Sequence, residues 1–195
     1  MHALIVVAHH DPRSLTHSVA AQIAASLVQA NPANTFEIAD LYAEGFEPCF
    51  GAADFAVHHR ESAPPADVLA EQARIDRADT LVLVYPVYWW SMPAQLKGWI
   101  DRVFSNGWAF DFSGDLKHVK LLQRLRVHLV GLAGADARTY ERHGYGAAMK
   151  AQIEHGIFDY CGATVLSSTL LPESELRDPS EQLAVARELG SQIFT

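Results

Sequence analysis

The chain has 195 residues, 49% hydrophobic and 19% charged, with 23 acidic against 15 basic residues for a net charge of −8. That length suits one domain spanning 1–195, and the apolar content supplies a full core, which excludes a disordered or fibrous chain. An acidic balance without a basic patch lacks the electrostatic attraction that dominates nucleic-acid binding, so that partner class is set aside.

The start, Met1-His2-Ala3-Leu4-Ile5-Val6-Val7-Ala8, reads as a strand, since it has no basic leader and no cleavage pattern. Residues 4–8 are apolar throughout, as a strand covered on both faces should be. Residues 14–29 then carry Val19, Ile23, Ala24 and Leu27 on one helical stripe, closed by Asn31-Pro32. Residues 35–41 read as a second strand. From 42 to 65 the pattern lapses among Gly45, Pro48, Gly51, Pro64 and Pro65, an irregular excursion. A helix is predicted over 66–77 and a strand over 80–88. Pro93 opens a helix to Phe104, because the first turn's amides lack intrahelical partners anyway. Residues 126–133 and 164–170 give two more strands, and 147–160 and 180–193 two more helices. Five strands alternating with helices imply an α/β fold with a doubly wound parallel sheet, whose ligand belongs at the carboxyl ends of the strands.

The apolar run 81–90 is interrupted by Pro86 and falls far short of the ~20 residues a membrane span needs. No integral membrane segment and a cytoplasmic location are therefore expected. Cys49 and Cys161, the two cysteines, have neither a disulfide-scaffold count nor a metal-ligand spacing. His9-His10-Asp11 and His58-His59-Arg60-Glu61 also lack the spacing of a zinc site, and no metal is expected.

Three strand ends carry the chemistry. After the first strand, His9, Arg13, Ser14, Leu15 and Thr16 lie where a helix N-terminus presents free amides, a cradle for phosphate. An ordinary N-cap at Ser14 explains the same residues without a ligand. Neither a Gly-x-Gly-x-x-Gly fingerprint nor a Walker loop is present. After the third strand come Pro86-Val87-Tyr88-Trp89-Trp90, and all four tryptophans fall between Trp89 and Trp108. Paired aromatics in such a loop suit the wall of a planar-ligand pocket. A core or a dimer seam is the plainer account, and it fits Trp99. After the fourth strand, Gly134 and Ala135 allow close backbone approach to a ring, and Tyr140 and His143 are the nearest proton-transfer candidates. Solvent-exposed loop filler is the alternative for His143.

The stretch from Pro86 to Phe104 resembles the central signature of the flavodoxin-like NAD(P)H:quinone oxidoreductases. Ala8-His9 with Ser14 and Thr16 is similar to that family's flavin-phosphate turn, and Asp40-Leu41-Tyr42 with Phe46 and Pro48 to its second strand and following loop. Gly107-Trp108-Ala109-Phe110 also resembles the ancillary subunits of glutathione-gated potassium efflux systems, a branch of the same family. The resemblance implies a sheet of order 2-1-3-4-5 and a flavin; a phosphate turn without the Thr/Ser- and Gly-rich loop of true flavodoxins, and a carboxy-terminal segment with Glu173 and Arg187 to meet an adenosine, favour FAD, with FMN as the alternative. By it, His9, Ser14, Leu15 and Thr16 hold the phosphates. Pro86, Val87, Tyr88, Trp89 and Trp90 meet the isoalloxazine, with Gly134, Ala135 and Tyr140 beside its pyrimidine edge. Trp90, Phe110 and Phe112 line the substrate side, the last two across a homodimer interface.

The activity so implied is an NAD(P)H dehydrogenase (quinone), which passes a hydride through the flavin to a quinone in two steps. The vertebrate members carry tyrosines at Phe110 and Phe112, and their relay histidine falls by count on Gly146, with His143 nearby. An azo- or nitro-reductase differs only in its acceptor. A non-catalytic, flavin-bearing subunit docked on a membrane potassium efflux protein is the rival from another class. Lys117, Lys120, Arg124 and Arg126 form a basic run that would suit a 2′-phosphate or simply a solvated loop.

Overall fold

A computed structural model describes residues 1–113, 117–176 and 178–194. Five strands form one parallel sheet: β1 (His2–Val7), β2 (Thr35–Asp40), β3 (Thr80–Pro86), β6 (Arg126–Leu132) and β7 (Thr164–Leu171). Their order is β2-β1-β3-β6-β7, the 2-1-3-4-5 sequence of a flavodoxin-like sheet. A short antiparallel hairpin, β4 (Phe110–Ser113) with β5 (Lys117–Lys120), stands apart from it. No polar–apolar alternation around residues 110–120 is strong enough to predict that hairpin.

Strands β1 and β3 are apolar from Ala3 to Val7 and from Leu81 to Pro86 because both sheet faces are covered. Ala3, Ile5 and Val7 of β1 and Val82 and Val84 of β3 pack under α1 (Leu15–Ala30) and α7 (Pro179–Gln192). Leu4, Val6, Leu81, Leu83 and Tyr85 face the other way, onto Ile75 of α3 (Ala66–Arg77), Trp99 of α4 (Ala94–Val103) and Phe158. Phe158 lies in a π-helical segment, Lys150–Asp159, that continues α6 (Tyr145–Met149). Two short helices, α2 (Ala52–His58) and α5 (Ala137–His143), complete the chain. Strand β7 is a sheet edge, and a bulge at Leu166 lets Val127 pair with Val165 but His128 with Ser167.

The predicted strand 80–88 stops at Pro86, because Tyr88 turns back on Ser91. The excursion 42–65 contains α2 and is clamped by α4. Gln95 Nε2 donates to the Phe46 and Leu41 carbonyls at 2.6 and 3.3 Å. Arg102, 7% exposed, donates to Asp54, Asp67 and the Glu47 carbonyl. In the basic run, Lys120 pairs with Asp159 and Arg124 with Asp76, both at 2.8 Å, so these two cations tie the fold together. The Lys117 side chain lies outside the described part of the structure. Among the described residues no helix is long and apolar enough to cross a membrane.

Candidate active site at the carboxyl edge of the sheet

Strand order reverses at β1: β1 leads into α1 on one face of the sheet, while its neighbours β2 and β3 lead to α3 and α4 on the other, the switch point at whose carboxyl edge such sheets bind ligands. The β1–α1 turn forms its first wall. Ser14 caps α1, its Oγ accepting the His17 amide at 3.4 Å, so the cap predicted as the plain alternative is present. The cap leaves the Leu15 and Thr16 amides without a protein acceptor among the described residues, open to an anion at the positive end of a 16-residue helix. His9 Nδ1 accepts the Asp11 amide at 3.0 Å, and burial, then the neighbouring His10, hold its imidazole below the usual histidine range. The His9 and His10 rings stack 4.7 Å apart, so the chain bends where an extended strand would point them to opposite faces. Among the described residues Arg13 reaches only Asp11, at 3.3 Å, and its side chain is almost fully exposed.

The second wall is the loop after β3. Val87 N–H donates to the Leu132 carbonyl at 2.7 Å, and Tyr88 and Ser91 exchange two amide bonds at 3.1 Å. Between them Trp89 and Trp90 both take positive φ, 49° and 60°. Both central residues of a type I′ two-residue turn require that conformation, and it suits Asn-Gly rather than two tryptophans. The strain leaves the Trp89 and Trp90 amides without acceptors among the described residues and Trp89 92% exposed. Backbone strain of this kind is kept where a site over-determines it.

Gly134 begins the third wall, and a Cβ placed on it would meet nothing within 4 Å. Glu173 N–H donates to the Ala135 carbonyl at 3.2 Å and Ser174 N–H to that of Ala133 at 2.9 Å, bringing the turn after β7 to the same edge. Asp136 caps α5 through the Thr139 amide. Tyr140, 5% exposed, meets Trp90 edge-on at 5.3 Å, and burial raises its phenol above the usual range. Among the described residues His143 makes no ring contact with Tyr140; it stacks at 5.3 Å on Tyr145, which lies flat on Trp90 at 3.8 Å. Tyr145 is a site residue that the sequence pattern did not single out, since it stands between two glycines in a segment with no periodicity.

The structure thus brings the β1–α1 turn, the Trp89 loop and the Gly134 loop to one edge. Phe110 and Phe112 are elsewhere, on the hairpin. Phe110 packs against His58, His118 and Tyr160, and with Phe112 lines a cavity of about 650 Å³. Two members of the first wall were also missed: His17 and Asp40 join Ser14 in a hydrogen-bonded chain. Three-residue spacing from the cap places His17 on the turn's own face, but only the fold delivers Asp40. Among the described residues, no group of three or more His, Cys, Asp or Glu side chains is arranged to hold a metal ion.

Residues 1–191 match the model of a family described by its flavodoxin-like fold. The chain belongs to this family. Among its flavodoxin-like relatives, ribosyldihydronicotinamide dehydrogenase [quinone] of Pongo abelii is 30% identical over 98% of this chain and 90% of its own. An NAD(P)H oxidoreductase of Haemophilus influenzae, not further characterised, is also 30% identical, over 98% of this chain and 93% of its own. Of solved structures, the NAD(P)H:quinone oxidoreductase from Methanothermobacter marburgensis superposes with a TM-score of 0.89 at 27% identity, covering 100% of this chain and 98% of that one.

Proposed function

We propose that the protein is an NAD(P)H-dependent flavoprotein that reduces quinones by two electrons, its flavin lying at the carboxyl edge of β1, β3 and β6 within a single domain. The observation that carries this reading is the strained Trp89-Trp90 turn, which spends two tryptophans where glycine or asparagine is preferred and frees two amides at one crevice. The quinone-reductase names of the relatives point the same way.

The residues present suit a flavin. The Leu15 and Thr16 amides and the Ser14 hydroxyl suit its phosphate, and the open space over Gly134 suits close approach of the pyrimidine edge. A bound flavin supplies hydride acceptance from NAD(P)H and hydride donation to the quinone. Trp90 orients planar substrates, the amides of Trp89 and Trp90 place donors against negative charge, and Tyr140 keeps its proton at neutral pH, available to a substrate oxygen. FAD is favoured over FMN because the Glu173–Ser174 turn is bonded to the Ala133–Ala135 loop, which puts the carboxy-terminal segment within reach of an adenosine.

Homodimerisation is part of the reading. Phe50, Phe55, Phe112 and Tyr160 are 47%, 57%, 48% and 42% exposed around the hairpin, an apolar cluster of the kind that marks an interaction surface. Among the described residues Phe110 and Phe112 make no ring contact with Trp90, and in this reading they serve a substrate site by lining the partner's.

The test is the visible spectrum of purified protein, with chromatography of what acid releases, followed by NADH- and NADPH-dependent menadione reduction. A yellow protein that releases FAD and turns over menadione is expected. A colourless protein that takes up no added flavin overturns the proposal.

A further inference from the structure

At the carboxyl ends of β1 and β2, three side chains make a hydrogen-bonded chain. Ser14 Oγ lies 2.9 Å from His17 Nδ1, and His17 Nε2 lies 2.8 Å from Asp40 Oδ2. The other carboxylate oxygen accepts the Tyr42 and Ala43 amides, both at 3.2 Å, so Asp40 is fixed from two sides. The His17 side chain is 17% exposed and that of Asp40 21%.

The direction of each bond follows from what each group can donate. An ionised Asp40 only accepts, so His17 Nε2 carries a hydrogen. In a neutral His17 the Nδ1 is then bare, and the Ser14 hydroxyl must donate to it. Ser14 in that state offers only lone pairs to the turn, which opposes a phosphate oxygen. An imidazolium carries hydrogen on both nitrogens. Its Nδ1–H donates to Ser14 Oγ, and the serine hydrogen is released toward the open Leu15 and Thr16 amides.

We propose that His17 is a positioning residue of the phosphate turn: capture of the flavin's phosphate takes up one proton at His17, with Asp40 balancing the charge and Ser14 turning its hydrogen to the anion. This rests on the flavin reading given above. The charged and titratable groups facing the His17 ring are Asp40, from the end of β2, and His9, from the end of β1, edge-on with its ring centroid 6.3 Å away. Behind His9 stand His10, and Asp11 with its partner Arg13. Burial and His10 keep His9 toward its neutral form, so it does not compete with His17 for the same proton.

The experiment titrates the full chain, freed of flavin, with FAD and with riboflavin from about pH 5.5 to about 8.5, following flavin fluorescence. Riboflavin has the ring and no phosphate. FAD affinity is expected to weaken as pH rises, by at most about tenfold per unit for one linked proton, while riboflavin affinity stays level. His17→Gln and Ser14→Ala each flatten the FAD slope, and either variant suffices should the other not fold. A level FAD profile in the unmodified protein, an equal slope with riboflavin, or an unchanged slope in the variants overturns the role of His17. Flavin that binds at no pH overturns the flavin reading, and this inference with it.

Discussion

Trp90 lies flat on Tyr145, with ring centroids 3.8 Å apart and planes 11° from parallel, while Tyr140 closes the Trp90 edge at 5.3 Å. One face of the indole offered to a planar ligand is therefore covered by the chain's own phenol. A ligand ring stacking there must displace Tyr145, and the lost pair is worth about 1 kcal/mol. Tyr145→Ala is expected to lower stability to urea by that amount and to tighten flavin binding by about fivefold. Equal dissociation constants for variant and parent would place the flavin away from that face.

Trp89 is 92% exposed at a φ of 49°, so its side chain gains little from packing and its backbone is strained. Asparagine tolerates this conformation without glycine's entropy cost. Trp89→Asn is expected to raise stability by up to about 1 kcal/mol and to weaken flavin or acceptor binding. Calorimetric melting of flavin-free protein checks the first half, and a fluorescence titration checks the second. A drop in melting temperature would mean that the indole packs on something in solution, the partner protomer being the first candidate.

Gly98 sits inside α4, where replacement by alanine ordinarily stabilises a helix by about 1 kcal/mol. Here the sign reverses. A Cβ on Gly98 would lie 2.2 Å from the Pro48 carbonyl oxygen and 2.5 Å from Pro48 Cβ. Both obstacles belong to the excursion after β2, which Gln95 holds against the same helix. Gly98→Ala is expected to destabilise by about 1–3 kcal/mol and to raise proteolysis within residues 46–50. A variant as stable as the parent would show that this loop yields freely.

The layers of the fold are legible because a parallel sheet buried on both faces writes itself as unbroken apolar runs, such as residues 3–8 and 81–86. The cap at Ser14 and the helix after Pro93 were legible for local reasons too. What stayed hidden depends on pairs distant in sequence. Asp40 reaches His17 across 23 residues, and Arg102 reaches Asp54 across 48. The hairpin carrying Phe110 and Phe112 is a pair of four-residue strands, too short to display a period. The positive φ of Trp89 and Trp90 was unreadable for the opposite reason: the local sequence argues against it, and only the Tyr88–Ser91 bridge and the Val87–Leu132 bond impose it. Local rules found the cap at Ser14 and failed at the Trp89–Trp90 turn and the His17–Asp40 pair.

Arg102 holds the excursion to the body of the protein, and two different losses separate its roles. Its side chain and that of Asp54 are 7% and 6% exposed, 3.0 Å apart, and the guanidinium also lies 5.2 Å from the centre of the Phe46 ring. Arg102→Met strands the buried Asp54 carboxylate and is expected to cost about 3–5 kcal/mol, with part of that recovered by adding Asp54→Leu. Asp67 is the half-exposed partner, and its hydrogen bond from Arg102 holds its carboxyl below the usual range. A carboxyl depressed in the folded state adds stability at every pH above its unfolded value of about 3.9, and that contribution is lost as pH falls through the lower folded value. Asp67→Asn should therefore be less stable than the parent at neutral pH, with the difference shrinking below about pH 4. Urea midpoints measured on both proteins down through that range decide it: a gap that persists undiminished into strong acid would show that Asp67 acts through packing and not through its charge on Arg102.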